Sequence, residues 1–153
     1  PNCSGCVLNE SCAALQKNLV GELPKKNKKA AIRHRFFNYL IVQNEEELLL
    51  HQRLKKDIWQ NLYEFPLIES TSELVYEELV NHPQFKKLVQ AHGFTLQLFN
   101  KTPKTHKLSH QHIITKFWLV HLQGKLQGAI KKTALKEYPV PVLVANFVEE
   151  YGF

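Results

Sequence analysis

The chain has 153 residues, 44% of them apolar and 10% aromatic, enough for one domain with its own core, which excludes a disordered or fibrous protein. No run approaches the ~18 apolar residues of a membrane-spanning helix and the first residues lack a secretory leader, so a soluble, intracellular protein is expected. Lys and Arg outnumber Asp and Glu by 20 to 14, and Lys25, Lys26, Lys28, Lys29, Arg33 and Arg35 fall within eleven residues, a run that suits a polyanionic partner or a solvated linker. Pro1 is not a natural start and the chain has no Met; both suggest a piece of a longer protein, its C-terminal region.

All three cysteines lie at the N-terminus, as Cys3-x2-Cys6-x5-Cys12. Thiolates at such short spacing can converge on one metal centre, and an odd number of them argues against a disulfide framework. Zinc or an iron-sulfur cluster would need a fourth ligand. Ser11 to Asn18 is a short helix-like segment, which Val20-Gly21-Glu22-Leu23-Pro24 ends. Lys25 to Ala31 reads as an extended basic linker.

From Ile32 the pattern changes. Phe36-Phe37-Asn38-Tyr39-Leu40-Ile41-Val42 is apolar at both alternating sets of positions, as a central strand covered on both faces should be. Gln43 to Glu47 makes an acidic turn, and Leu48 to Arg53 reads as the second arm of a hairpin. Leu54 to Asn61 is a loop carrying Ile58 and Trp59. Leu62 to Glu69 is an edge or bulged strand because Pro66 withholds an N–H. Ser72 can cap a helix over Glu73 to Val80, and Pro83 suits the first turn of a second helix ending at His92-Gly93. Thr95 to Phe99 alternates like a strand. Gly124 turns the chain, Lys131 to Tyr138 is weakly patterned, and Pro141 opens a terminal helix through Tyr151.

Between these elements lies His106-Lys107-Leu108-Ser109-His110-Gln111-His112, followed by the β-branched and aromatic run Ile113 to Val120. It reads as a polar tip on a rigid strand. Its three histidines could bind a metal, since His110 and His112 share one face of an extended chain, but the pair is a common one and nothing acidic or thiolate lies beside it. The plain alternative is a solvated hairpin arm. The total is an α+β chain: a mixed sheet flanked by two or three helices, with no internal repeat.

The cysteine triplet, the basic connector and the Glu-Phe-Pro segment together resemble the MutY-type adenine DNA glycosylases, at the junction between their iron-sulfur motif and their Nudix-like C-terminal domain. That family holds a 4Fe-4S cluster on C-x6-C-x2-C-x5-C, and Cys3, Cys6 and Cys12 are similar to its last three cysteines. Glu22-Leu23-Pro24-Lys25 with Lys28-Lys29 resembles the inter-domain connector, and Trp59-x2-Leu62-x-Glu64-Phe65-Pro66 resembles the family's W/L-x-x-L-W-E-F-P stretch. The resemblance implies a remnant of the cluster motif over residues 1–18, a linker over 19–31 and a Nudix-like domain over 32–153. It implies the cluster only in the full-length protein, not in this fragment.

The resemblance further implies a role in base excision repair, in which adenine is removed opposite 8-oxoguanine. The family reads the damaged base with an aromatic-Ser/Thr-His loop, which Leu108-Ser109-His110 matches at its last two positions. Lys25, Lys26, Lys28 and Lys29 would contact the DNA backbone. Catalysis belongs to the N-terminal domain, so no catalytic residue is expected here and the fragment should be inactive alone. Expected partners are duplex DNA carrying an 8-oxoguanine:adenine mispair, the chain's own catalytic domain and replication or repair proteins, in bacterial cytoplasm and without a membrane. The alternatives are a protein-interaction module without lesion readout and a nucleotide pyrophosphohydrolase. The last needs the box G-x5-E-x7-R-E-U-x-E-E-x-G-U (U, aliphatic), whose carboxylates hold Mg2+. With the final glycine on Gly93, Lys86, Lys87, Leu88, Gln90 and Ala91 stand where Arg, Glu, an aliphatic residue, Glu and Glu are required, and only Glu78 matches an acidic position. No Mg-dependent site is therefore expected.

Overall fold

The computed structural model describes residues 1–25, 31–89 and 93–153. It divides into two compact units, Pro1–Ala31 and Ile32–Phe153. In the first, a 3-10 turn at Asn9–Ser11 precedes the short helix α1 (Ala13–Gln16). Cys3, Cys6 and Cys12 are free thiols; Cys6 is exposed and the other two are half-buried. The N–H groups of Cys6, Asn9 and Cys12 donate to the carbonyls of Cys3, Cys6 and Asn9, so the cysteines ride on successive tight turns.

The second unit is built on β1 (Arg33–Gln43), whose residues from Phe37 onward are buried. It pairs in parallel, over its whole length, with β8 (Gln111–Leu122). On its other side it pairs antiparallel with β5 (Leu67–Ser70) and β2 (Glu47–Leu48), and β2 carries β9 (Ile130–Lys131). Beyond β8 lie β6 (Phe94–Leu98) and β7 (Lys104–Lys107), both antiparallel to it. Among the described residues this makes one seven-stranded mixed sheet; β3 (His51–Gln52) and β4 (Tyr63–Glu64) form a separate pair.

Both faces of the sheet are covered, which is why β1 lacks a polar side. Phe37, Tyr39, Ile41, Ile113 and Phe117 meet Leu143, Val144, Phe147 and Val148 of α4 (Val142–Tyr151). Phe117 and Phe147 stack with centroids 4.3 Å apart. On the opposite face, Leu40, Val42, Trp118 and Val120 pack with Leu79 of α2 (Tyr76–Asn81) and with Phe85 and Val89 of α3 (Pro83–Val89). Several polar groups in this interior have partners, whereas the Gln43 amide oxygen and the Thr115 hydroxyl have none among the described residues. Asn38 accepts from the Trp118 indole at 3.2 Å and donates to the Ile68 carbonyl. Asn100 accepts from the Phe117 N–H at 2.7 Å and donates to the Thr115 carbonyl at 2.9 Å, tying the β6–β7 connection to β8.

Three sequence expectations are corrected. Helix α2 begins at Tyr76 rather than Glu73, because Leu74 is drawn into the core and its carbonyl accepts the Lys116 ammonium. The cap is not Ser72; the Glu78 carboxylate accepts the Val75 N–H at 3.0 Å. The arm after the acidic turn breaks at Leu49-Leu50, leaving β1 for a short pairing with β4. The expected end of the second helix lies outside the described residues; the described part stops at Val89. The stretch Leu62 to Glu69, read as one edge or bulged strand, carries two short strands, β4 and β5, with Pro66 between them, and α4 runs to Tyr151.

Candidate nucleic-acid interface

The tip formed by Ser109 and His110 is a two-residue turn joining β7 to β8. Lys107 pairs with His112, and the Leu108 N–H donates to the Gln111 carbonyl at 2.8 Å. The Arg33 N–H donates to the His110 carbonyl at 3.1 Å, so the start of β1 holds the far side of the turn. Neither tip residue adopts positive φ. The backbone is thus fixed on both sides while the Ser109 hydroxyl and the His110 imidazole are exposed. Leu108 points elsewhere. It is half-buried against the core under α4, so it anchors the turn instead of standing free to wedge between bases.

The three histidines His106, His110 and His112 do not converge. His106 pairs with Ile113, one register step from the Lys107–His112 pair, so His106 and His112 lie on opposite faces of the sheet. His106 packs on Trp59, centroids 5.6 Å apart, and His112 packs on His34 at 5.4 Å. His110 occupies the turn between them. Among the described residues no group of three or more His, Cys, Asp or Glu is arranged to hold a metal.

A network not anticipated from the sequence supports the tip. Arg35 belongs to the basic run in sequence, yet it is only 5% exposed and meets two carboxylates. Its Nε and Nη2 reach Glu69 at 2.7 Å each, and Nη1 and Nη2 reach Asp57 at 2.9 and 2.7 Å. Nη1 also lies 3.5 Å from the amide oxygen of Gln111, the residue after the turn. Arg53 extends the network to Asp57 at 3.0 Å and, with two 2.7 Å bonds, to Glu64, which accepts the Tyr39 hydroxyl. Hydrogen bonding to Glu69, opposed by burial and aided by Asp57, raises the Arg35 pKa. The Arg35 guanidinium in turn holds Asp57 below its ordinary range. Burial alone would raise Glu64, but His51, Arg53 and Tyr39 outweigh it and hold the carboxyl low. The clue lay in parity: Arg35 shares its face with Phe37, Tyr39 and Ile41, and a charge there requires counter-carboxylates.

Two cavities bear on the hydrolase alternative. One of about 610 Å³ lies against α3, with an apolar floor including Leu40, Leu88 and Leu122 and two ammonium groups, Lys87 and Lys125, but no carboxylate. The other, about 550 Å³, is lined by Asp57, Glu64 and Glu69, whose oxygens are engaged by Arg35 and Arg53. Lys86 and Lys87 project from α3 where acidic ligands would have to stand, and Glu78 serves as a helix cap. This donor set does not fit Mg2+. Cys3, Cys6 and Cys12 are free thiols on successive tight turns and are likewise not gathered into a group that could hold a metal. Lys25 is exposed in the first unit; Lys26, Lys28 and Lys29 lie outside the described residues.

A parallel β1–β8 pair inside a mixed sheet, with helices on both faces, is the arrangement to which the NUDIX domain family model matches over residues 38–150, and the chain belongs to that family. The chain is 27% identical over 122 residues to the adenine DNA glycosylase of Buchnera aphidicola subsp. Baizongia pistaciae (strain Bp), covering 78% of this chain and 32% of that protein. The chain thus spans about a third of the length of that relative. Among solved structures, the C-terminal domain of mouse MUTYH, in its complex with human PCNA, superposes with a TM-score of 0.57 at 14% identity, over 78% of this chain and 88% of that one. The MutT protein from Methanosarcina mazei Go1 superposes with a TM-score of 0.51 at 15% identity, over 78% and 94% respectively. These structural likenesses concern the fold.

Proposed function

We propose that the chain is the lesion-recognition part of an adenine DNA glycosylase acting in base excision repair, and that it reads 8-oxoguanine opposite the adenine removed by a catalytic domain elsewhere in the full protein. The observation that carries this reading is the Ser109–His110 turn, exposed at its side chains and anchored through its backbone to both β7 and β1. Oxidation turns the acceptor N7 of guanine into an N–H donor and adds a carbonyl oxygen at C8. A reader therefore needs an acceptor beside a donor. The serine hydroxyl can play either part, and the imidazole can donate to O8 or to a neighbouring phosphate. One such contact discriminates against guanine by about 1–3 kcal/mol.

On this reading Lys25, Lys26, Lys28 and Lys29, in the linker over 19–31, contribute affinity that falls with salt and ignores the lesion. Cys3, Cys6 and Cys12 supply three donors of a 4Fe-4S cluster completed in the longer protein, and this fragment alone cleaves no glycosidic bond. The test is an amide NMR titration at fixed salt with a duplex containing 8-oxoguanine opposite adenine and with its guanine counterpart. The reading requires larger shifts over residues 106–112 with the lesion duplex. Equal shifts confined to lysines would reduce the domain to a basic tether.

A second reading has one observation in its favour: the relative of similar fold from mouse is seen in complex with human PCNA. An interaction module for replication or repair proteins would bind such a partner without lesion preference.

A further inference from the structure

On the face of the sheet away from Arg35, three side chains stand in one row across three strands. His34 of β1 pairs with His112 of β8, and His112 pairs with Lys107 of β7. Directly paired residues project on the same side of a sheet. The two imidazoles meet edge to face, 5.4 Å between centroids. His34 and Lys107 are exposed and His112 is half-buried. The row lies one residue from the Ser109–His110 turn on β7 and β8.

Among the described residues, the paired positions around this row carry no carboxylate. The next row on the same side is Phe36, Ile114 and Thr105, with Ser70 of β5 beside Phe36. On this side the Glu73 carboxylate pairs with Lys116, four residues further along β8, at 3.3 Å. Arg33, Arg35 and Glu69 occupy the opposite face. Histidine is the side chain that changes charge between pH 5 and 8. Two adjacent imidazoles beside an ammonium repel one another once protonated, and an anion lodged among them removes that cost while offering acceptors to their N–H groups.

We propose that His34, His112 and Lys107 form a proton-linked clamp for a backbone phosphate of duplex DNA beside the base that the turn reads. This deepens the proposed function and rests on it for the choice of DNA as the source of the phosphate. The clamp binds damaged and undamaged duplexes alike, and each complex takes up a proton. Affinity for both duplexes therefore rises as pH falls through the range in which the imidazoles charge, by about three- to tenfold between pH 7.5 and 6.0.

The experiment measures the Kd of the 153-residue chain for lesion and guanine duplexes at constant ionic strength across that range, with imidazole resonances of His34 and His112 followed by NMR. Expected are parallel pH dependences for the two duplexes, both flattened in the double variant His34→Gln/His112→Gln, and a salt slope smaller by about one in Lys107→Gln. The variants lie on exposed or half-exposed positions, and circular dichroism checks their fold. Ser109→Ala retains the pH response while losing lesion preference, so failure of lesion reading and failure of the clamp give different results. Inorganic phosphate moving the same imidazole resonances as strongly as duplex DNA would assign the row to a free anion and overturn the proposal. An unchanged pH response in the double variant, or no duplex binding at any pH, would overturn it too.

Discussion

The backbone N–H of Arg33 lies within hydrogen-bonding distance, 3.1 Å, of the His110 carbonyl, so the first strand of the sheet begins by holding the end of the proposed recognition turn. Replacing that donor tests how far the turn depends on it. Arg33→Pro removes the N–H at the first residue of a strand, where proline is tolerated, and should cost about 1 kcal/mol. Amide exchange at residues 109–111 should accelerate. Arg33→Ala, which keeps the N–H, should leave it unchanged.

Arg35 should matter for folding rather than for DNA affinity. Its removal in Arg35→Met leaves Asp57 with Arg53 alone and Glu69 with only Arg33, 3.8 Å away, and takes the guanidinium from beside Gln111. Breaking a buried pair typically costs about 3–5 kcal/mol, reduced to about 2–3 here because Asp57 and Glu69 keep part of their water. Urea unfolding measures this. Arg35→Lys should recover only part of the loss, since an ammonium cannot make the paired contacts to both carboxylates.

The same network sets a pH dependence. Asp57 and Glu64 are held below their ordinary values of 3.8 and 4.5. A depressed carboxyl contributes stability that is fully present above its unfolded pKa and lost as pH falls through its folded pKa. The second unit should therefore show a flat Tm above about pH 5 and a decline below about pH 4.5. Glu64→Gln should lower the plateau and shallow the acid slope.

Much of this fold was legible because periodicity and burial agreed. Phe36 to Val42 has no polar side and became the strand buried on both faces. What stayed hidden depended on partners distant in sequence. Arg35 resembled its lysine neighbours until the parallel pairing with β8 and the loop around Asp57 enclosed it. Leu74 fitted a helical stripe, yet its carbonyl was worth more to Lys116 across the chain than to a further helical turn. At the candidate site, the order His-x3-His-x-His marked a polar tip but not its division: one residue of register sends His106 toward Trp59 and His112 toward His34.

Asn100 tests whether β7 is held in place by a single side chain. Asn100→Ala leaves the buried Phe117 N–H without its acceptor, at a cost of about 1–3 kcal/mol. Hydrogen exchange should rise across the β6–β7 connection before it rises in β1.

The central claim is that the serine at the tip reads an oxidised guanine. The most direct measurement is the ratio of Kd values for the guanine duplex and the 8-oxoguanine duplex, at one salt concentration, for the unaltered chain and for Ser109→Ala. The account predicts a preference of about ten- to a hundredfold for the lesion, from about 1–3 kcal/mol, that falls toward unity in Ser109→Ala with little change in affinity for the guanine duplex. Equal affinity of the unaltered chain for both duplexes, or a preference that survives in Ser109→Ala, would contradict it.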